Sequence, residues 1–185
     1  MGAPQRPTVN TIKDLSETLK KGAYSKVFVS GPQRSGTTIV TKMLAQDLGF
    51  EEVQELPSLE SAQSLRDNAV AQCPQLTSFL HEFSAPNSAV VFMCRSFKDI
   101  IASGARIGWN GGHEIHEVKK YKDRFPDYFV EGYHASVMVQ NVWLSYQMER
   151  MQVPFFNLSY SKIKDHPLYI SKKDRKGFYS KQTTK

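Results

Sequence analysis

Residues 28–44 read Phe-Val-Ser-Gly-Pro-Gln-Arg-Ser-Gly-Thr-Thr-Ile-Val-Thr-Lys-Met-Leu, an apolar run, a turn of small residues and a helical start. Gly31 and Gly36 bracket Pro32, Gln33, Arg34 and Ser35, and Thr37 and Thr38 follow at once. Such a turn at a helix start aims several backbone N–H groups one way, and the helix dipole adds partial positive charge. That arrangement suits a phosphate. In nucleoside-triphosphate enzymes a lysine after the last glycine reaches the β and γ phosphates. Here Thr37 occupies its place, and the only cation inside the turn is Arg34. A shorter, less charged phosphate chain would not need that lysine.

Two further sets of residues could join this chemistry. Arg95 ends the apolar run of residues 89–94, and Ser103 lies eight residues on, with Asp99 between them. Glu55 lies just beyond the helix that the turn opens and is a candidate general base, with Glu51 and Glu52 nearby and His81 further off. His113 and His116 have only Glu114 and Glu117 for company, which reads as a solvated charged segment. No metal is expected.

The elements that must position these residues follow from hydrophobic periodicity. Ile12, Leu15 and Leu19 predict a short helix within 8–22, stopped at Gly22. Residues 26–30 predict a buried strand, and Thr37 to Leu48 a helix ending at Gly49. A short strand is expected at 51–56, a polar helix at 58–70, and a strand covered on both faces at 88–95. Lys98 to Ile107 has helical character, and 108–128 predicts a glycine-rich loop followed by a helix. A long helix over 130–150 and a strand over 153–160 complete the pattern. Strand, loop and helix in this order predict an α/β fold, a P-loop-type three-layer domain with a short central parallel sheet flanked by helices. The domain spans 24–185, preceded by an N-terminal helical arm over 1–23.

The segment Gly-Pro-Gln-Arg-Ser-Gly-Thr-Thr at 31–38 resembles the 5′-phosphosulfate loop of the sulfotransferase family, whose forms read much like Pro-Arg/Lys-Ser-Gly-Thr-Thr. That family's donor is 3′-phosphoadenosine-5′-phosphosulfate (PAPS). The resemblance implies that Gly31, Gln33, Arg34, Ser35, Gly36, Thr37 and Thr38 hold the 5′-phosphosulfate, with Arg34 in the place of the family's catalytic Lys or Arg. It implies that Arg95 and Ser103 hold the 3′-phosphate, although the family's Arg-Asp-Pro is Arg95-Ser96-Phe97 here. Residues 158–167 are similar to the family's Tyr-Glu-Asp-Leu segment, keeping Tyr160, Ile163 and Pro167. Arg175, Lys176 and Gly177 look like the clamp on the 3′-phosphate in cytosolic members, without the rest of that motif. Glu55 is placed much as the glutamate base of the tyrosylprotein branch.

The implied activity is sulfuryl transfer from PAPS to a hydroxyl or amine, with Arg34 and Glu55 as catalytic residues and no metal. Acceptor contacts would come from residues 104–135, where Trp109, Tyr121, Phe125, Tyr128 and Phe129 either line a site or pack the core.

Bulk properties bound these readings. A chain of 185 residues suits one domain. Its net charge of +6 is carried by residues 161–185, where eight Lys and Arg face Asp165 and Asp174. Basic charge confined to one end argues against a nucleic-acid-binding face. The apolar runs are too short for a membrane span, the N-terminus lacks a signal-peptide core, and Arg6 departs from the myristoylation pattern. The expected location is cytoplasmic, with Cys73 and Cys94 as free thiols. The competing readings are a kinase-like P-loop phosphotransferase, which would want Lys at position 37 and a magnesium-binding Asp at a strand end, and a nucleotide-binding protein without turnover.

Overall fold

The structure, a computed structural model, describes residues 9–109 and 111–171, without the side chains of 111–114. Helix α1 spans Ile12–Lys21 and β1 spans Lys26–Ser30. Next come α2 (Thr37–Leu48), β2 (Glu51–Val53), α3 (Leu59–Gln63) and β3 (Ala69–Gln72). A 3-10 segment over Pro74–Glu82 leads to β4 (Ser88–Cys94) and α4 (Phe97–Ala105). Helices α5 (Gly111–Arg124), α6 (Ala135–Val142) and α7 (Met148–Arg150) precede β5 (Phe155–Ser159).

The five strands form one all-parallel sheet in the order β2-β3-β1-β4-β5. The first connection runs outward to the β2 edge, and every later one moves back across the sheet. Since parallel crossovers are right-handed, that reversal puts α2 on one face and the later helices on the other. The two apolar layers follow this division. Val27 and Val29 of β1 pack with α1 and α2 through Ile12, Leu15, Leu19, Val40, Met43 and Leu44. Phe28, on the opposite side of the same strand, packs with Leu80, Phe92, Met138 and Trp143. Helix α1 is therefore sealed into the same layer as α2. The Trp143 ring stacks on Phe92 at 4.4 Å, and its indole N–H donates to Asn157 Oδ1 at 2.8 Å, so the largest buried side chain has its polar atom satisfied.

Helix α2 begins and ends where the sequence places it. The segment 58–70 does not form one helix. It breaks after Gln63, and Asn68, with φ of 58°, turns the chain into β3, whose Ala-Val-Ala-Gln is buried between β1 and β2. Alanines carry little strand preference, so tertiary pairing rather than propensity makes this strand. The loop followed by a helix expected over 108–128 is present with a shorter loop than its glycines suggest, because α5 already starts at Gly111. The helix expected from residue 130 starts at Ala135 and passes through a π turn at Trp143–Gln147. Among the described residues, no helix is long and apolar enough to cross a membrane.

Candidate functional site

β1 and β4 are neighbours whose following connections leave in opposite directions, so a crevice opens beyond their C-terminal ends. The turn of residues 31–36 leaves β1 there, and Arg95 leaves β4 beside it. Gly31 has φ of 136°, and a Cβ on it would lie 2.7 Å from the Met93 carbonyl oxygen. Only glycine lets the turn lie this close to β4. Behind it, the Ser30 and Thr77 hydroxyls meet at 2.7 Å, and the Thr77 hydroxyl donates to the Pro74 carbonyl at 2.7 Å. The base of the turn is thereby tied to the 3-10 segment.

Gly36 has φ of 109°, and a Cβ there would come within 2.5 Å of the Tyr160 ring. It opens α2 without any side-chain cap, and the first turn of α2 carries no acidic residue. Helices α1, α3, α4 and α6 are each capped by a side chain, from Thr11, Ser58, Ser96 and His134. Uncapped first-turn N–H groups with the dipole behind them suit an anion.

Arg34 adopts the left-handed conformation at φ of 66°, which costs a side-chain-bearing residue on the order of 1–2 kcal/mol. Two contacts hold it there. Its carbonyl accepts from Arg95 Nη1 at 2.8 Å, and its Nε donates to Ser103 Oγ at 3.3 Å. Arg95 also lies over the Tyr160 ring at 4.1 Å, and Arg34 over the Trp109 ring at 5.6 Å. Arg34 thus forms one contact network with Arg95 and Ser103, which lie more than 60 residues on in the sequence.

This network faces a cavity of about 510 Å³. Arg34, Thr37, Thr38, Lys42, Arg95 and Tyr160 border it, as do Gln33, Gly36, Glu55 and Ser103. Among the described residues, three cations against the single Glu55 make it electropositive. The Glu55 carboxylate is held at its edge by Gln72 Nε2 at 3.3 Å and Gln75 Nε2 at 3.1 Å. Ser35 lies beneath the turn, buried, and its hydroxyl has no hydrogen-bond partner among the described residues. Arg175 and Lys176 lie outside the described residues.

Other candidates fall elsewhere. Glu51 pairs with Arg66, and Glu52 accepts from Gln54 Nε2 at 2.8 Å. His81 packs edge-on against Phe125 and Tyr146, and burial lowers its pKa. None of these three borders the cavity. Burial pushes the thiol pKa up to about 12 at Cys73 and to about 11 at Cys94, so neither is a ready nucleophile, and both are unpaired.

A second cavity of about 940 Å³ meets the first at Gln33, Arg34 and Trp109. Its walls come from α4, α5 and α6 and from the 129–134 link. Trp109 and Phe129 line it. Tyr121 and Phe125 are core residues instead, and Tyr128 packs on Tyr146.

Sequence reasoning missed Lys42, Gln72, Leu168 and Ile170, which also border the first cavity. Lys42 was within reach, since it follows Thr38 by one helical turn on the same face. The strip holding Leu168 and Ile170 is fixed from behind. His166 Nε2 meets Asp47 Oδ1 at 3.2 Å, and the Leu168 N–H donates to His166 Nδ1 at 3.1 Å, so Nε2 carries the proton and donates to Asp47. Asp47 Oδ2 accepts from Ser16 Oγ at 2.6 Å. An aspartate in the last turn of α2 opposes the helix dipole, and these two donors offset that cost.

Fold and crevice together define a parallel α/β domain with an electropositive cavity at its strand ends. Compared with protein-family models, curated proteins and solved structures, the chain matches none of them.

Proposed function

We propose that the chain is a PAPS-dependent sulfotransferase on a P-loop-type three-layer domain. The observation that carries this reading is the contact of Arg34 with both Arg95 and Ser103 beside an uncapped α2, with Thr37 where a triphosphate-binding loop has lysine. The resemblance assigns these three residues to the two phosphate ends of one donor, and in the structure they border one cavity.

The N–H groups and hydroxyls at Gly36, Thr37 and Thr38, with Gln33 and Lys42, would hold the 5′-phosphosulfate. Arg95 and Ser103 would take the 3′-phosphate, joined by Arg175 and Lys176 on the expectation from sequence. The acceptor oxygen or nitrogen attacks sulfur in line, forming the new bond as the bond from sulfur to the bridging phosphate oxygen breaks. Glu55 accepts the acceptor's proton. Arg34 meets the negative charge that grows on the leaving oxygen, in place of the missing lysine. The products are the sulfated acceptor and 3′,5′-adenosine bisphosphate.

A kinase-like reading wants a magnesium-binding aspartate at a strand end, but β3 ends in Gln72 and β4 in Cys94. The test is release of 3′,5′-adenosine bisphosphate from PAPS in the presence of a panel of phenols, amines and sugars. The proposal expects acceptor-dependent release that Glu55→Gln slows strongly. Phosphoryl transfer from ATP with magnesium, and no release from PAPS, would replace it by the kinase reading.

A further inference from the structure

We infer that the larger cavity takes an uncharged alcohol with an apolar, ring-sized body, and that it excludes sugars and acidic peptides. The inference rests on the sulfotransferase reading for calling this molecule the acceptor, while the binding chemistry stands on the cavity itself. At about 940 Å³ the cavity is at the upper end of the range that small-molecule sites occupy. It opens onto the donor cavity at Arg34, so a bound hydroxyl at that mouth would face the sulfur.

The described walls are mostly apolar. Ile100, Ile101, Trp109, Val118, Phe129 and Val139 line it from three elements and the link between them. Ile101, Trp109, Ile115 and Tyr133, four of the large apolar residues left exposed in the molecule, all border this cavity, and Ile101 remains 48% exposed and Ile115 69%. Concentration of exposed apolar side chains around one concavity marks a place that a ligand covers.

The charges argue for a neutral occupant. Lys119 and Lys122 on α5 are matched along the same wall by Glu117 and Asp123, which leaves Arg34, at the mouth shared with the first cavity, as the unmatched cation among the described lining residues. Lys122 is further engaged over the Phe129 ring at 5.0 Å. A sulfated glycan or an acidic peptide would want an extended unopposed basic surface, and among the described residues a single unmatched cation at the mouth is not one. Most of the described lining surface is apolar, and two of its polar groups already engage one another. Ser136 and His134 contact one another at 2.7 Å, and the Ser136 N–H donates to His134 Nδ1 at 3.2 Å. A sugar's many hydroxyls would lose their water without enough partners to replace it.

Binding is tested with 2-naphthol, lactose and an acidic tyrosine peptide, read by quenching of Trp109 fluorescence, with Trp109→Phe to subtract the buried Trp143. The inference expects saturable quenching by 2-naphthol alone, weakened roughly tenfold or more in Ile101→Asp, since a charge at the mouth opposes entry of an apolar ring. Ile101 is exposed, so this change spares the fold, and an unchanged unfolding midpoint checks that. Stronger binding of lactose or the peptide than of 2-naphthol would overturn the inference. So would 2-naphthol binding that Ile101→Asp leaves unchanged. Titration with 3′,5′-adenosine bisphosphate is run separately: naphthol binding with no bisphosphate binding keeps the cavity's ligand class and removes the donor reading, and the reverse pattern overturns the ligand class alone.

Discussion

The two cavities that meet at Arg34 are made in different ways. The smaller draws its polar groups from strand ends and one helix start, where backbone geometry fixes them: Gly31 against Met93, Gly36 under Tyr160, Arg34 held at φ of 66° by Arg95. The larger is walled by side chains of α4, α5 and α6, elements that share no local motif and that lie on one face of the sheet. The contrast teaches that one cavity is specified by conformation and charge and tolerates little change. The other is specified by shape and apolarity and tolerates much.

The sharpest break in this comparison is at the residue both cavities share. Arg34→Gln is expected to lower kcat for sulfuryl transfer by about two to three orders of magnitude, since it removes the cation facing the leaving oxygen. Affinity for 3′,5′-adenosine bisphosphate, measured by calorimetry, is expected to change far less. Equal loss in both would make Arg34 a binding residue only.

Next in size, Gly31→Val places a branched side chain at φ of 136° against the Met93 carbonyl. The expected cost is about 3 kcal/mol or more in unfolding free energy by urea titration, from backbone strain and overpacking. Ile101→Val, on the wall of the larger cavity, is expected to fall within about 0.5 kcal/mol of wild type. Comparable values for the two would erase the difference between the regions.

Smaller again is the strip that borders the first cavity from behind α2. Asp47→Ala removes the acceptor of His166 and Ser16, and is expected to cost ~1–2 kcal/mol of stability. Bisphosphate affinity should fall several-fold, on the order of one lost hydrogen bond's worth, through Leu168 and Ile170. Asp47→Asn keeps an oxygen for His166 and should recover most of the affinity.

The smallest effect belongs to a site behind neither cavity. Burial lowers the His81 pKa below its ordinary 6.5; the neighbouring Glu82 raises it, and Arg124 and Arg150 lower it. The unfolded chain then binds more protons than the folded one between the folded pKa and 6.5, so stability falls as pH drops through that window. Urea midpoints above pH 7 and at about pH 5.5 should diverge less in His81→Gln than in wild type, with bisphosphate binding untouched.

Legibility in the sequence follows the same contrast. The turn of residues 31–38 and helix α2 were readable because glycine spacing and helical periodicity are local signals. The strand β4 with Arg95 at its end was readable from six consecutive apolar residues. β3 was not, because Ala69, Val70 and Ala71 become a strand only by lying between β1 and β2. Gln72 at its end, which holds Glu55, was lost with it. Among the five aromatic candidates, periodicity could not tell Trp109 and Phe129, which line the larger cavity, from Tyr121 and Phe125, which are core. Their fate depends on how α5 lies against α6, which no short stretch encodes.

The measurement that goes to the centre is calorimetric titration with 3′,5′-adenosine bisphosphate beside ATP and magnesium, for wild type and Arg95→Ala. The account predicts tight bisphosphate binding in wild type, weak ATP binding, and a loss of roughly 10- to 100-fold in the variant, the worth of charge-assisted hydrogen bonds to a phosphate. Preference for ATP, or bisphosphate binding that ignores Arg95, would contradict it.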